Sequence, residues 1–151
     1  MWTIPTSKTT SKPFVIPMSD AVLGWFGQLK TLSCGSRWVV PGRSGKKHLT
    51  DAAIAAAIDR LCDKLPDVRR FTPHDCRSTA RSHLAALGVP VLVAERCLNH
   101  ALGGLVAVYD QHDYLDERRK ALALWADFLT ACESGREWMP GNVVPIRQAS
   151  A

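Results

Sequence analysis

Four residues in the middle of the chain combine types that no apolar core requires: His74, Arg77, His100 and Tyr109. An arginine grips a pair of non-bridging phosphate oxygens through a planar fork that stays charged at any relevant pH. Two imidazoles can donate hydrogen bonds or shuttle protons, and a phenol can attack phosphorus. With an ordinary pKa of about 10, that phenol needs positive charge or a base beside it. Each residue alone has a plainer explanation. A histidine near a helix start is commonly a surface group, an arginine is commonly solvated, and a tyrosine inside LVAVYD reads as a core aromatic with a wet hydroxyl. As a set, they are the groups needed to cut and rejoin a nucleic-acid backbone through a tyrosine.

The elements that must position this set read as a small N-terminal hairpin followed by short helices. Trp2 to Pro5 and Phe14 to Ile16 are β-prone runs flanking TSKTTSK, which predicts a hairpin with its loop near Lys8 to Lys12. Pro13 and Pro17 confine the second run to an edge. Ser19 is the expected N-cap of a helix whose Val22, Leu23, Phe26 and Leu29 recur at helical spacing and should pack on the core. Trp38-Val39-Val40 before PGRSGKK is either a third strand or an extended loop with a basic tip. Thr50 opens a helix with Ile54, Ile58 and Leu61 as one apolar stripe, closed by Leu65-Pro66. Pro73 starts the next helix, which places His74 and Arg77 on one face, and Gly88 is its expected left-handed cap. Pro90 starts another short helix over VLVAERCLN. Gly103 and Gly104 interrupt the chain before LVAVYD, and the last helix is expected from about Leu115 to Cys132 with Leu122, Trp125 and Leu129 on one face. One domain over residues 1–133 and an extended or disordered tail over 134–151 are expected.

Composition bounds the function. With 46% hydrophobic and 22% charged residues and no apolar run long enough for a bilayer, the chain is expected to be globular with no membrane partner. Its first residues, MWTIPTSK, lack a secretory pattern, so a cytoplasmic location is expected. The net charge of +5 is uneven: residues 1–50 hold seven Lys/Arg against the single acid Asp20. Such a surface suits phosphates. The five cysteines, Cys34, Cys62, Cys76, Cys97 and Cys132, are odd in number and never form CxxC, so they are expected as reduced, small hydrophobes. A metal site built on His74, His100 and His112 would lack a carboxylate or cysteine at a recurrent ligand spacing. No metal is expected.

The order His74-x-x-Arg77, then Leu98-Asn99-His100, then Tyr109, then YLDERRKALALWADFL resembles the C-terminal catalytic half of phage-type integrases, the mobile-element enzymes of the tyrosine recombinase family. Upstream, WTIP, a lysine-bearing loop and VIPMS look like that family's strand, lysine hairpin and "VPLS" segment. The resemblance runs to about Leu129. It implies a partial tyrosine recombinase catalytic fold, mainly α with a small antiparallel hairpin at the N-terminal edge. Double-stranded DNA is the implied partner, with no metal, nucleotide cofactor or small-molecule substrate.

By the same resemblance, Tyr109 would attack the scissile phosphate to give a 3′-phosphotyrosyl link and a free 5′-hydroxyl. Arg77 would hold the phosphate, and His74 and His100 would hydrogen-bond its oxygens, with His74 the better placed for proton transfer. Lys8 would protonate the leaving 5′-oxygen, with Lys12 as its alternative because the lysine-to-proline spacing differs by one residue. Tyr114 is the alternative nucleophile; His83, Arg81 and His112 are read as structural or DNA-facing. The family's set includes a further arginine on a helix before the first catalytic strand, and this chain starts at Met1-Trp2, after that point. Impaired cleavage and self-association, or assembly with a full-length integrase, are therefore expected. The alternative is a non-catalytic DNA-binding or regulatory remnant.

Overall fold

The computed structural model describes residues 1–6, 12–100 and 112–139. Strands β1 (Trp2–Ile4) and β2 (Phe14–Ile16) pair antiparallel, with Trp2 opposite Ile16 and Ile4 opposite Phe14. Helices α1 (Asp20–Leu32), α2 (Asp51–Cys62), α3 (Pro73–Ala86), α4 (Val91–Cys97) and α5 (Leu115–Glu133) follow. The fold is mainly helical with a small antiparallel hairpin at its N-terminal edge, as expected. No helix among the described residues is long and apolar enough to cross a membrane.

Local chemistry sets the helix ends. Ser19 and Thr50 accept hydrogen bonds from the backbone N–H groups of Val22 and Ala53, at 3.4 and 3.3 Å, and so satisfy donors that no helical turn can reach. α3 opens with a reciprocal cap. The Thr72 hydroxyl accepts from Asp75 N, while Asp75 Oδ2 accepts from Thr72 N at 2.8 Å. At the other end Gly88 takes φ +81°, where a side chain would be strained. There Gly88 N bonds Ala85 O and Val89 N bonds Leu84 O, each at 3.0 Å, and Val89 folds onto the core.

That core joins three helices. Leu84 of α3, Val93, Ala94 and Cys97 of α4, and Ala121 of α5 are buried together, with Val89, Tyr114, Leu122 and Trp125 packed against them. A second, aromatic layer continues it. Trp125 and Phe128 stack at 5.5 Å, His83 lies 5.1 Å from Phe128, and Trp138 meets Phe128 edge-on at 5.7 Å. Trp138 reaches that position because the chain reverses after α5, with Gly135 at φ +63° and Arg136 N bonded to Ala131 O.

Several apolar expectations change. In α1, Leu23 and Leu29 are 49% and 38% exposed, and Val22, Trp25 and Phe26 turn instead toward Leu122, Trp125 and Leu129 of α5. In α2, Ile54 and Leu61 are exposed, leaving Ile58 half-buried and Cys62 buried. An amphipathic pattern specifies a face, but only a neighbour can cover it. Trp38-Val39-Val40 forms a loop rather than a strand; a single bridge between Pro41 and His48 closes it, and its tip from Arg43 to Lys47 is exposed. The cysteines also divide. Cys34, Cys76 and Cys132 are exposed free thiols, which corrects their reading as buried hydrophobes, whereas Cys62 and Cys97 are buried.

Arg118 was not singled out by its sequence context, yet its side chain is fully buried. Its Nη1 donates to Asp113 Oδ1 at 2.7 Å, its Nη2 donates to Val15 O, and its guanidinium carbon sits 4.6 Å over the Phe14 ring. One side chain thus pins β2 to the first turn of α5. Asp113 is itself exposed, so losing Arg118 costs chiefly the charge-assisted bonds to Asp113 and to the Val15 carbonyl, about 3 kcal/mol together. Arg118→Met is expected to lower the thermal midpoint by roughly 6–12 °C for a chain of this size, read by circular dichroism; an unchanged midpoint would mean the hairpin is held some other way. Thiol labelling checks the cysteine assignment independently. Burial pushes the Cys97 thiol up to about 11, so a neutral-pH alkylating reagent should modify Cys34, Cys76 and Cys132 and reach Cys62 and Cys97 only on unfolding.

Candidate active site

On α3 the positions 74, 77, 81 and 84 share one stripe, since residues three and four apart lie on the same face of a helix. Leu84 buries the C-terminal end of that stripe against α4. The same rotation aims Arg77 and Arg81 at α4 and the turn that follows it. There Asn99 adopts a left-handed conformation at φ +51°, and His100 N returns to Glu95 O at 3.0 Å. The reversal lays the His100 ring back over its own helix, beside the Glu95 carboxylate.

A continuous polar network results. Arg81 Nε donates to Glu95 Oε1 at 2.6 Å, and Glu95 Oε2 is hydrogen-bonded to His100 Nδ1. On the far side of the ring, Arg77 Nε donates to His100 Nε2 at 3.1 Å, and Arg77 Nη2 donates to Leu98 O. Because Nε2 accepts from a guanidinium that has no lone pair to offer, the partners assign the ring proton to Nδ1, where it is donated to Glu95. Hydrogen bonds from Arg81 and then from His100 hold the Glu95 carboxyl below its ordinary range against the opposing effect of burial. Glu95 offsets the charge of Arg81, so among the described residues of this network the exposed Arg77 is the cation left facing solvent with N–H donors to spare. An exposed, oriented guanidinium beside a fixed imidazole is a binding geometry for a tetrahedral oxyanion such as a phosphodiester.

Of the sequence-predicted set, the structure brings Arg77 and His100 together. His74 is exposed at the start of α3, one turn before Arg77, and among the described residues it hydrogen-bonds to neither. Tyr109 and Lys8 lie outside the described residues, while Lys12 is exposed just before β2. Tyr114 is half-buried against the core at φ +53°, with the His112 ring 4.6 Å away and His112 Nδ1 accepting from Tyr114 N. His83 belongs to the aromatic layer. Arg81, read as structural or DNA-facing, is part of the network. Glu95 was missed altogether, and a carboxylate on the helix immediately before Leu98-Asn99-His100 was the available signal. Among the described residues, no group of three His, Cys, Asp or Glu side chains is placed to hold a metal ion, the trio His74, His100 and His112 included.

Comparison with known proteins points to integrases. The profile of the phage integrase family matches residues 1–115, a span that includes Arg77, His100 and Tyr109. Prophage integrase IntA of Escherichia coli (strain K12) is 31% identical over 137 residues, covering 89% of this chain and 32% of that protein. The integrase of Shigella phage Sf6 is 30% identical over 121 residues, covering 78% of this chain and 30% of its own length. Prophage integrase IntZ of Escherichia coli (strain K12) is 31% identical over 126 residues, covering 82% of this chain and 30% of that protein. The chain thus spans about a third of the length of these relatives. No solved structure matches.

The Glu95 contacts carry a pH signature. A carboxyl whose folded pKa is depressed gives stability that is complete above its ordinary value, here 4.5, and lost as pH falls through the folded value. The urea midpoints of wild type and Glu95→Gln should therefore differ at pH 7 and converge as pH falls below 4.5 and through the folded value. A gap that stays constant across this range would place the stabilisation outside the carboxylate.

Proposed function

The chain belongs to the phage integrase family, and from that premise we propose that Arg77 and His100 form the phosphate-binding part of a tyrosine recombinase site acting on double-stranded DNA. The observation that carries the reading is the 3.1 Å contact between Arg77 Nε and His100 Nε2, which joins two residues 23 positions apart. In this reaction a bond forms between the Tyr109 phenolic oxygen and phosphorus as the bond from phosphorus to the 5′-oxygen breaks. The phenol proton passes to a base. The departing 5′-oxygen takes a proton from Lys8, or from Lys12 in its place. Rejoining is the reverse attack by a 5′-hydroxyl, so the number of phosphoester bonds is conserved and no outside energy source is needed.

Arg77 supplies charge where the transition state accumulates it. His100 keeps that guanidinium in place, and His74, on the same stripe of α3, is the group available to move a proton at the phosphate oxygens. The seven Lys/Arg of residues 1–50 against one acid, including the exposed tip from Arg43 to Lys47, favour approach to a polyanion.

A nicked duplex that traps the cleaved strand tests the reading, with candidate sites taken from the DNA junctions flanking the protein's own gene. A covalent protein–DNA adduct is expected from wild type and from Tyr114→Phe, and none from Tyr109→Phe. Arg77→Ala should slow adduct formation by about 10²–10³. Duplex affinity should fall steeply as salt rises. Salt-dependent binding with no adduct in any variant would replace this reading with that of a non-catalytic DNA-binding protein.

A further inference from the structure

We infer that Glu95 is a positioning residue of this site, which sets the tautomer and orientation of His100 and, through that ring, the seat of Arg77. For its effect on rate the inference rests on the strand-cleavage reading above; for the ring itself it rests on contacts alone. The two carboxylate oxygens divide the work. Oε1 takes Arg81 Nε at 2.6 Å and ties α4 to α3, while Oε2 takes the Nδ1 proton of His100. A tie between helices would need only the first of these. Side chains of Arg81 and Glu95 are each 24% exposed, so neither contact is a loose surface pair.

The second contact has a chemical consequence. A neutral imidazole carries its proton on either nitrogen, and the hydrogen bond made by one nitrogen decides what the other presents. With Glu95 accepting at Nδ1, the lone pair at Nε2 meets Arg77 Nε. Without that acceptor the Nε2–H form becomes accessible, which would set an N–H donor against a guanidinium N–H. Arg77 would then lose one of the two hydrogen bonds that hold it among the described residues, and the other, to the Leu98 carbonyl, restrains only Nη2. Orientation of a phosphate-binding fork is what a site of this kind depends on, since displacement of an oriented group is felt in the reaction rather than in ground-state binding.

The test uses the whole chain and needs DNA for only one of its arms. Long-range proton–nitrogen NMR of the histidine rings at about pH 8, where imidazole is neutral, reads the tautomer, and loss of signals in His100→Gln assigns the ring. Wild type is expected to show His100 protonated at Nδ1 and bare at Nε2. In Glu95→Gln the Nε2–H form should appear, with adduct formation slowed about ten- to a hundredfold, the scale on which outer partners of oriented imidazoles act, and duplex affinity little changed. Arg81→Gln removes the helix tie but keeps the carboxylate, and should retain the wild-type ring signals. A folded Glu95→Gln with wild-type ring signals would overturn the inference, as would an Arg81→Gln that alone scrambles them. Absence of any adduct from wild type would sink the cleavage reading, and the ring signals would still decide the role of Glu95.

Discussion

The burial of Leu84 against Val93, Ala94, Cys97 and Ala121 is the contact on which the rest of the arrangement depends. It is the largest apolar side chain that is fully buried among the described residues, and it sits at the end of α3 where its own carbonyl also receives Val89 N. Helix termination and core packing are therefore one event. Alanines at 94 and 121 let α4 and α5 meet closely around it, in the manner of interiors that tolerate few voids. Once Leu84 faces inward, the helical repeat leaves no freedom for the side chains one and two turns earlier. Arg81 and Arg77 must project over α4, where Glu95 and the turn to His100 receive them.

Two charged side chains are drawn out of water for different ends. Arg118 is surrounded by Asp113, the Val15 carbonyl and the Phe14 ring, and its two Nη groups hold chain segments 103 positions apart, while its buried Nε has no hydrogen-bond partner among the described residues. The hairpin needs such an anchor, because two strands of three residues bury too little to persist alone. Glu95 keeps about a quarter of its side chain exposed, 24%, and its partners Arg81 and His100 belong to the polar network around Arg77. The first arrangement maintains shape; the second controls which atoms are presented at the surface.

The resulting surface is asymmetric in function. Its interior side is neutralised pair by pair, with Arg81 facing Glu95 and Arg118 facing Asp113. Its exterior keeps Arg77 as a cation with no carboxylate partner among the described residues. In a chain of the phage integrase family, that separation leaves an exposed cation beside His100, which fits the proposed role of the pair in phosphate binding.

Local sequence was enough to locate the hairpin, the caps at Ser19 and Thr50, the helix start at Pro73, the left-handed stop at Gly88, and the spacing of His74, Arg77 and His100, because each depends on contacts within a few residues. It did not reveal which apolar faces are covered: Leu23, Leu29, Ile54 and Leu61 fit their helical stripes and still face outward, since burial requires a partner surface that no local pattern encodes. Nor did it distinguish Arg118 from its exposed neighbour Arg119, or Glu95 from any other helical acid. Those roles exist only where helices cross, and the 3.1 Å approach of Arg77 to His100 is set by the turn at Asn99 and the burial of Leu84 together. Spacing singled out the groups, but only the folded chain decided which nitrogen of His100 faces Arg77, because the reversal at Asn99 lays the ring beside Glu95 of its own helix while packing of α3 brings Arg77 to the other nitrogen.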